Sequence, residues 1–372
     1  MLTDLDDLTI HQIPQTIDQV QGRNPRWADK LWFHVGTVDG QLSVAGHMGV
    51  YPSTRTMDAA AAVVTGGHVH SARFSRECKV DRDTKEVGAM SAEILEHFRS
   101  WRFVLAPSPE SRISFDLTFK AERQPMEVAA PVFHRARGQH LTWHMWHYAQ
   151  TGRAEGTITV DGTAIPLSEE NTVAVRDRSW GVRPIFGQVP HLAPVPESIG
   201  RSSIWMAADL PDRSAWLWRI EPTDDQRAGL VGNLADQTGR TRLDGALAGD
   251  HGGAEPLRII HTAPALDLDE AGRLSGGSTT ITDEQGNSTK LDIRPLTTLY
   301  GKMLGYGHGE FRHNEWKGES LAQYEDIDLA DSEAVSGLLA NESGHINPFG
   351  LEHFCEFTAG GTTGHGVVRL SI

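Results

Sequence analysis

A chain of 372 residues with 39% hydrophobic content can bury one large core or two ordinary ones, and typical domain sizes favour two. Its 34 Lys and Arg against 49 Asp and Glu leave a net charge of −15, which argues against nucleic acid or anionic membrane as a partner, because both require basic patches. No run of about 18 apolar residues occurs, so nothing in the sequence reads as a membrane span.

The start, MLTDLDDLTIHQIPQ, is acidic and lacks the basic-then-apolar order of a secretory signal. Cys78 and Cys355 are the only cysteines, too few for a disulfide framework. Both features predict a cytoplasmic protein. Residues 1–30 read as an arm leading to Trp32. From there the punctuation is that of an all-β chain. LWFHVGTVDGQLSVAGHMGVY holds two apolar runs around Asp39-Gly40, a hairpin signal of the primed-turn type. The alanine run in AAAAVVTGGHVHSARF would suit a helix, but Gly66-Gly67 breaks it and the rest looks extended. SAEILEHFRSWRFVLAP fits either period, and a strand is expected from about Arg99. In RISFDLTFKAERQP, Ile113, Phe115, Leu117 and Phe119 share one face of a strand.

HLTWHMWHYAQTG and GTITVDGTAIPL follow, the latter with an Asp161-Gly162 turn, and then the strand NTVAVRDRSW. PIFGQVPHLAPVPESIG is rich in proline and glycine, and a domain boundary is expected inside it. The expected division is 1–195 and 196–372. Beyond it, SSIWMAADL, AWLWRIEP and the segment from Leu257 to Leu296 give more strands joined by tight turns, with a short helix over Asp331–Leu339. Two antiparallel β-barrels or sandwiches, one per half, is the simplest architecture. Barrels of about eight strands can hold one small ligand.

Asp177 is the residue that most demands an explanation. Val173, Val175, Asp177 and Ser179 share a face, so a carboxylate follows two valines on what looks like a core face. An unpaired charge there is costly, so Asp177 is either neutral with a raised pKa, paired with a cation such as Arg183, or open to a wet cavity. The first alternative makes it a proton donor and the second a structural pin. His147 closes the row Leu141, Trp143, Met145, His147, and is either a satisfied core histidine or an acid/base group. In GYGHGEFRHNEWKG, Tyr306 and His308 alternate with glycines, which leaves both side chains free to project into a cavity; His313 and Trp316 follow.

No HExxH, cysteine pair or acidic calcium loop is present, so no metal or other cofactor is expected. GxSxG and SxxK are absent too.

RDRSWGVR at 176–183 resembles the Asp-x-(Ser/Asn)-Trp-Gly signature of the carotenoid 1,2-hydratase (hydroxyneurosporene synthase) superfamily. HYAQTGRAEGTITVDG and GYGHGEFRHNEWKG are similar to segments of an uncharacterised bacterial branch of it. The resemblance spans roughly residues 30–370 and maps the motif aspartate onto Asp177, the tryptophan onto Trp180 and the glycine onto Gly181. It implies tandem lipocalin-like barrels with an apolar pocket at or between them. It also implies chemistry on alkenes: hydration or pericyclic cyclisation. The expectation is a cofactor-free hydratase, dehydratase or isomerase acting on a terpenoid, polycyclic or aromatic molecule. Asp177, His147, Tyr306 and His308 would be catalytic, and Trp143, Tyr148, Trp180, Arg183, His313 and Trp316 would line the substrate. A non-catalytic lipocalin-like carrier and a pericyclase-like cyclase are the alternatives. A homodimer is compatible with all three.

Overall fold

The computed structural model describes residues 4–8, 24–79, 84–127, 132–135, 141–182, 202–221, 241–306, 311–340 and 350–371. The first half supplies β1 (Trp27–Thr37), β2 (Leu42–Tyr51), β3 (Thr56–Thr65), β4 (His68–Glu77), β5 (Glu86–Val87), β6 (Met90–Glu96) and β7 (Ser100–Leu105). After these come β8 (Ile113–Lys120), β9 (Met126–Glu127), β10 (Val132–Arg135), β11 (Leu141–Val160), β12 (Thr163–Leu167) and β13 (Thr172–Val182). The second half supplies β14 (Ser202–Asp209), β15 (Ser214–Glu221), β16 (Arg242–Ala248), β17 (Leu257–Leu268), β18 (Leu274–Asp283) and β19 (Ser288–Tyr300). It ends with β20 (Ser320–Asp328), the helix α1 (Ser332–Leu339), β21 (Leu351–Ala359) and β22 (Thr362–Ser371).

These strands form two antiparallel units. Fourteen belong to one curled sheet whose main path runs β20-β4-β3-β2-β1-β13-β11-β8-β7-β6-β5. The other eight close into a barrel, β14-β15-β16-β17-β18-β19-β21-β22. The fold is therefore all-β, two tandem lipocalin-like units with little helix. One strand crosses the boundary drawn at 195/196: β20 pairs with β4, so a piece of the second half completes the first sheet's edge. The proline-rich stretch expected to contain that boundary, residues 184–200, lies outside the described residues.

The curl of the first sheet wraps an apolar core in which Phe33 stacks on Phe103 at 4.2 Å. The barrel has its own core of Met206, Leu217, Ile281, Leu291, Phe357 and their neighbours. A third cluster lies between the units: Trp32, Val173, Val175, Trp205, Trp216, Phe354 and Val367. This seam explains a feature of the sequence. Every residue of β1, β2 and β13 is buried, because each of these strands has the first core on one side and the barrel on the other. Their polar residues therefore do not mark a solvent face.

Local outcomes follow from packing. The alanine run is strand β3, with Ala59 and Ala61 in the first core and Ala60 and Ala62 against Leu299, Met303 and Leu304 of the second half. Tertiary packing on both sides overrides its helix propensity. At Asp161-Gly162 both residues have positive φ, 50° and 76°, as a primed hairpin turn requires. The Asp39-Gly40 hairpin differs: only Gly40 has positive φ, and the Asp39 carboxylate ties the loop by accepting from Thr37 Oγ1 and the Gln41 amide. The two runs between His140 and Leu167 merge into the twenty-residue β11, which pairs with β13 and then with β8. Gly156, at φ 135°, lets it pass close to the Asp116 carbonyl where a Cβ would collide. Among the described residues no helix is long and apolar enough to cross a membrane.

Candidate active site at the seam

Register brings the polar residues of the seam together. Across β2, β1, β13 and β11, His47, Trp32, Asp177 and Ala149 form one row. Gly49, Lys30, Ser179 and His147 form the next, and Asp58 of β3 stands opposite Gly49. Trp32 and His147 face the barrel's Trp205, while Lys30, His47 and Asp58 meet Leu304, Tyr306, His313 and Asn314 of the segment after β19.

Asp177 and His147 are the centre of this face, with relative exposures of 6% and 5%. His147 Nε2 lies 3.9 Å from Asp177 Oδ2. The indole N–H of Trp205 donates to the same Nε2 at 3.2 Å, so the neutral ring carries its proton on Nδ1 and its Nε2 lone pair accepts from Trp205. Trp216 stacks on the imidazole at 5.3 Å and Trp218 leans over it at 5.7 Å. A carboxyl group, an imidazole and three indoles are thus packed together.

Next to it, Arg369 lies over Trp32 and Trp205, 4.6 and 5.3 Å from their rings, and donates to Glu352 at 2.6 Å. Glu352 also contacts His34 Nδ1 at 3.3 Å, and His34 Nε2 reaches Ser43 at 2.5 Å. Burial alone would raise the Glu352 carboxyl, but Arg369 and His34 hold it below the usual carboxylate range. The buried indole N–H groups of Trp32 and Trp216 have no partner among the described residues. Such donors are rare inside proteins.

A second cluster follows along the same face. His47 and His313 meet edge to face at 4.3 Å, and Tyr306 meets His313 at 4.5 Å. Asp58 lies between the histidines: Oδ1 is 3.8 Å from His47 Nδ1 and Oδ2 is 3.5 Å from His313 Nδ1. Tyr51 donates to Oδ1 at 3.0 Å and the Asn314 amide to Oδ2 at 2.9 Å. Lys30 sits 4.9 Å above the Tyr306 ring. Burial, with Lys30 and His313 adding to it, keeps His47 well below the ordinary imidazole pKa; burial raises Asp58.

The opposite face of the same strands is closed. Arg176 reaches Asp7 Oδ1 at 3.2 Å and also donates to Gln150, while Arg178 donates to Asp29 at 2.6 Å and to the Asp7 carbonyl at 2.9 Å. Tyr148 and the Phe98 amide donate to Asp7 as well. Burial would raise Asp7, but Arg176, Tyr148 and Phe98 outweigh it and hold the carboxyl low.

Residues 2–370 match the family described as "Family of unknown function (DUF8625)". The chain belongs to that family. No curated protein matches it. Among solved structures, a protein designated AttH from Nitrosomonas europaea is similar with a TM-score of 0.51 and 15% identity, covering 97% of this chain and 96% of that one. Kievitone hydratase from Nectria haematococca is similar at 0.49 and 12% identity, over 98% and 95% of the two chains. CghA is similar at 0.44 and 11%, over 93% and 88%. At these identities the AttH likeness speaks for the fold alone.

Of the residues singled out in the sequence, the structure brings Asp177 to His147 and Tyr306 to His313, both pairs on the seam. Tyr148 and Trp180 lie on the far side of the sheet from Asp177 and pack with Trp27 and Val182. Trp316 is 55% exposed. Arg183, His308 and the side chain of Trp143 lie outside the described residues, and with Arg183 goes the expected Asp177–Arg183 pair. Sequence reasoning missed His47, Asp58, Lys30, Trp205, Glu352 and Arg369. The signal for two of them, His47 and Asp58, was present. An imidazole or carboxylate amid GHMGV or MDAAAAV poses the same problem as Asp177 amid valines.

Proposed function

We propose that the family member described here is an acid–base enzyme that works at the seam on an apolar, alkene- or aromatic-bearing small molecule. The reaction is hydration, its reverse, or isomerisation. The observation that carries this reading is the buried Asp177–His147 pair beneath Trp205, Trp216 and Trp218. A protonated Asp177 would add its proton to an alkene carbon, leaving a cation that the indole faces stabilise. His147, once the Trp205 N–H releases its Nε2 lone pair, would take a proton from the attacking water or from the adjacent carbon. Water addition then gives an alcohol, proton loss gives a shifted alkene, and transfer from His147 to Asp177 restores the starting state. The resemblance of residues 176–183 to carotenoid 1,2-hydratases, in their bacterial branch, points the same way. So does the pair of orphan indole donors, which would orient a substrate oxygen.

The test begins with compounds that raise the melting temperature of the protein, drawn from polyenes, prenylated phenols and polycyclic terpenoids. Those compounds are then incubated with enzyme in heavy water. Wild type should incorporate carbon-bound deuterium, and Asp177→Asn should lose roughly 10²- to 10⁴-fold of that rate while keeping the thermal shift. Undiminished exchange by Asp177→Asn removes the acid assignment.

A second reading, a carrier without chemistry, would seat its ligand in the small hollow inside the barrel, lined by Ile204, Met206, Leu217, Arg219, Thr279 and Val368, a space of about one water that would have to open to admit it. It lies behind β14 from the seam. Ligand whose thermal shift disappears in Leu217→Trp but survives in Asp177→Asn, with no exchange by any form, would favour the carrier.

A further inference from the structure

The His47–Asp58–His313 cluster is not used by the proton chemistry just described, and its geometry is that of a ligand set. We propose that these three side chains form a buried His2Asp site for a divalent ion of the zinc class, beside the acid–base pair but independent of it. One donor atom from each residue falls within a set whose members are all within 4.8 Å of one another, and all three residues are buried. His47 Nδ1 and His313 Nδ1 approach different oxygens of Asp58, Oδ1 at 3.8 Å and Oδ2 at 3.5 Å, so a small turn of the carboxylate would offer one oxygen to an ion held by both rings; a tetrahedron built on bonds of ~2.1 Å has edges of roughly 3.4 Å. Two imidazoles and one carboxylate are borderline ligands that suit zinc, cobalt or iron(II) rather than calcium or magnesium.

The outer contacts have the form that metal sites use. His47 Nε2 donates to the Leu304 carbonyl at 2.9 Å, which puts the proton on Nε2 and aims the lone pair of Nδ1 at Asp58. The carboxylate is oriented from both sides, by the Tyr51 hydroxyl on Oδ1 and the Asn314 amide on Oδ2. His313 is delivered by a held loop. Asn314 adopts φ 63°, its Nδ2 donates to the Pro25 carbonyl at 2.9 Å, and its Oδ1 accepts from Thr54 and Thr56. A non-glycine residue in that conformation stores strain that the surrounding bonds must over-determine. Gly49 belongs to the same design, since a Cβ there would stand 2.7 Å from Asp58 Oδ1. Lys30 sets the charge balance: with Asp58 as the one anionic ligand and a lysine close by, the site favours an ion that carries an anionic fourth ligand, such as hydroxide or a substrate oxyanion.

The experiment uses the full-length protein, stripped with a chelator and titrated with Co²⁺ and Zn²⁺. Wild type should take one ion per chain, show the visible absorption of tetrahedral Co²⁺, and melt at higher temperature with Zn²⁺. His313→Gln and Asp58→Asn should each lose roughly tenfold or more in affinity, and Tyr51→Phe a smaller amount. His144→Gln, whose imidazole is on β11 outside the cluster, should bind as wild type does. Lys30→Met should bind more tightly. If Asp58→Asn does not fold, His313→Gln on its loop carries the test. Wild type that binds neither ion, or His313→Gln that binds with wild-type affinity, overturns the proposal. Neither result bears on Asp177, because the readout is binding and requires no turnover.

Discussion

Strand β13 divides its charged residues between two surroundings, and the contrast separates structure from chemistry. On the inner side, Arg176 and Arg178 are wholly buried, but each guanidinium meets carboxylates, carbonyls or an amide oxygen, and Asp7 is bonded on both oxygens. On the seam side, one residue away, Asp177 faces His147 at 3.9 Å under three indoles. Arginine does not release its proton in a protein, whereas imidazole and carboxyl groups exchange theirs with small shifts of environment. The inner network is thus a fixed brace, whereas the chemistry proposed for the seam calls on groups that can exchange protons. A buried charge is a clue to function only after its partners are known.

Breaking the brace should have the largest effect. Asp7→Ala leaves Arg176 and Arg178 short of a buried counter-charge and should destabilise the fold by roughly 3–5 kcal/mol, read as a lower urea midpoint. Deuterium exchange per folded molecule should be unchanged, because Asp7 is across the sheet from Asp177. Loss of exchange without loss of stability would erase the distinction between the two faces.

Acid sharpens the comparison next. His353 is buried against Thr298 and the Leu274 amide, and burial lowers its pKa to about 4. The unfolded chain, with its imidazole near 6.5, binds the proton first. The stability from keeping His353 neutral is therefore complete above pH 6.5 and is lost as pH falls toward 4, to the extent of about 3 kcal/mol. His47 on the seam acts with the same sign. Urea midpoints measured from pH 7 to 4 should fall, and His353→Gln should flatten the slope. Asp7, held low by the arginines, adds to the fall only as pH nears the unfolded carboxyl's 3.8, and its contribution is lost between that value and its own lower pKa.

The smallest effect should come from Trp205→Phe. The ring is kept but the donor to His147 Nε2 is gone, which should cost about 1 kcal/mol of stability. Without that donor the imidazole accepts a proton more readily, so the acid limb of the exchange-rate profile should move to higher pH. An unmoved limb would mean that His147 is not the base.

The fold was legible because its strands are short and bounded by Gly, Asp and Pro, as at Asp161-Gly162 and Gly360-Gly361, whose positive φ values match their residue types. Asp177 and His147 were legible because each interrupts an apolar row. Half of the second cluster was hidden, since His47 and Asp58 become neighbours of His313 only through contacts more than 250 residues apart in the chain. Nor does period-2 patterning tell which of two buried faces a residue takes, so Tyr148 and Trp180 read as pocket walls although they belong to the brace. The alanine run misled for a different reason: its composition speaks of helix, and only the neighbours on both sides dictate strand.

The path of β20 has a consequence for how the molecule is made. Ser320–Asp328 is the last strand of the first sheet to be synthesised, and until it arrives the edge of β4 has unpaired backbone groups. A nascent chain must hold an unfinished sheet while the whole of β14 to β19 emerges, so final closure waits on contacts of very long loop length. Halves expressed separately would each lack something the other encodes, and the first alone would present a sticky ribbon ready to recruit a strand from a stranger.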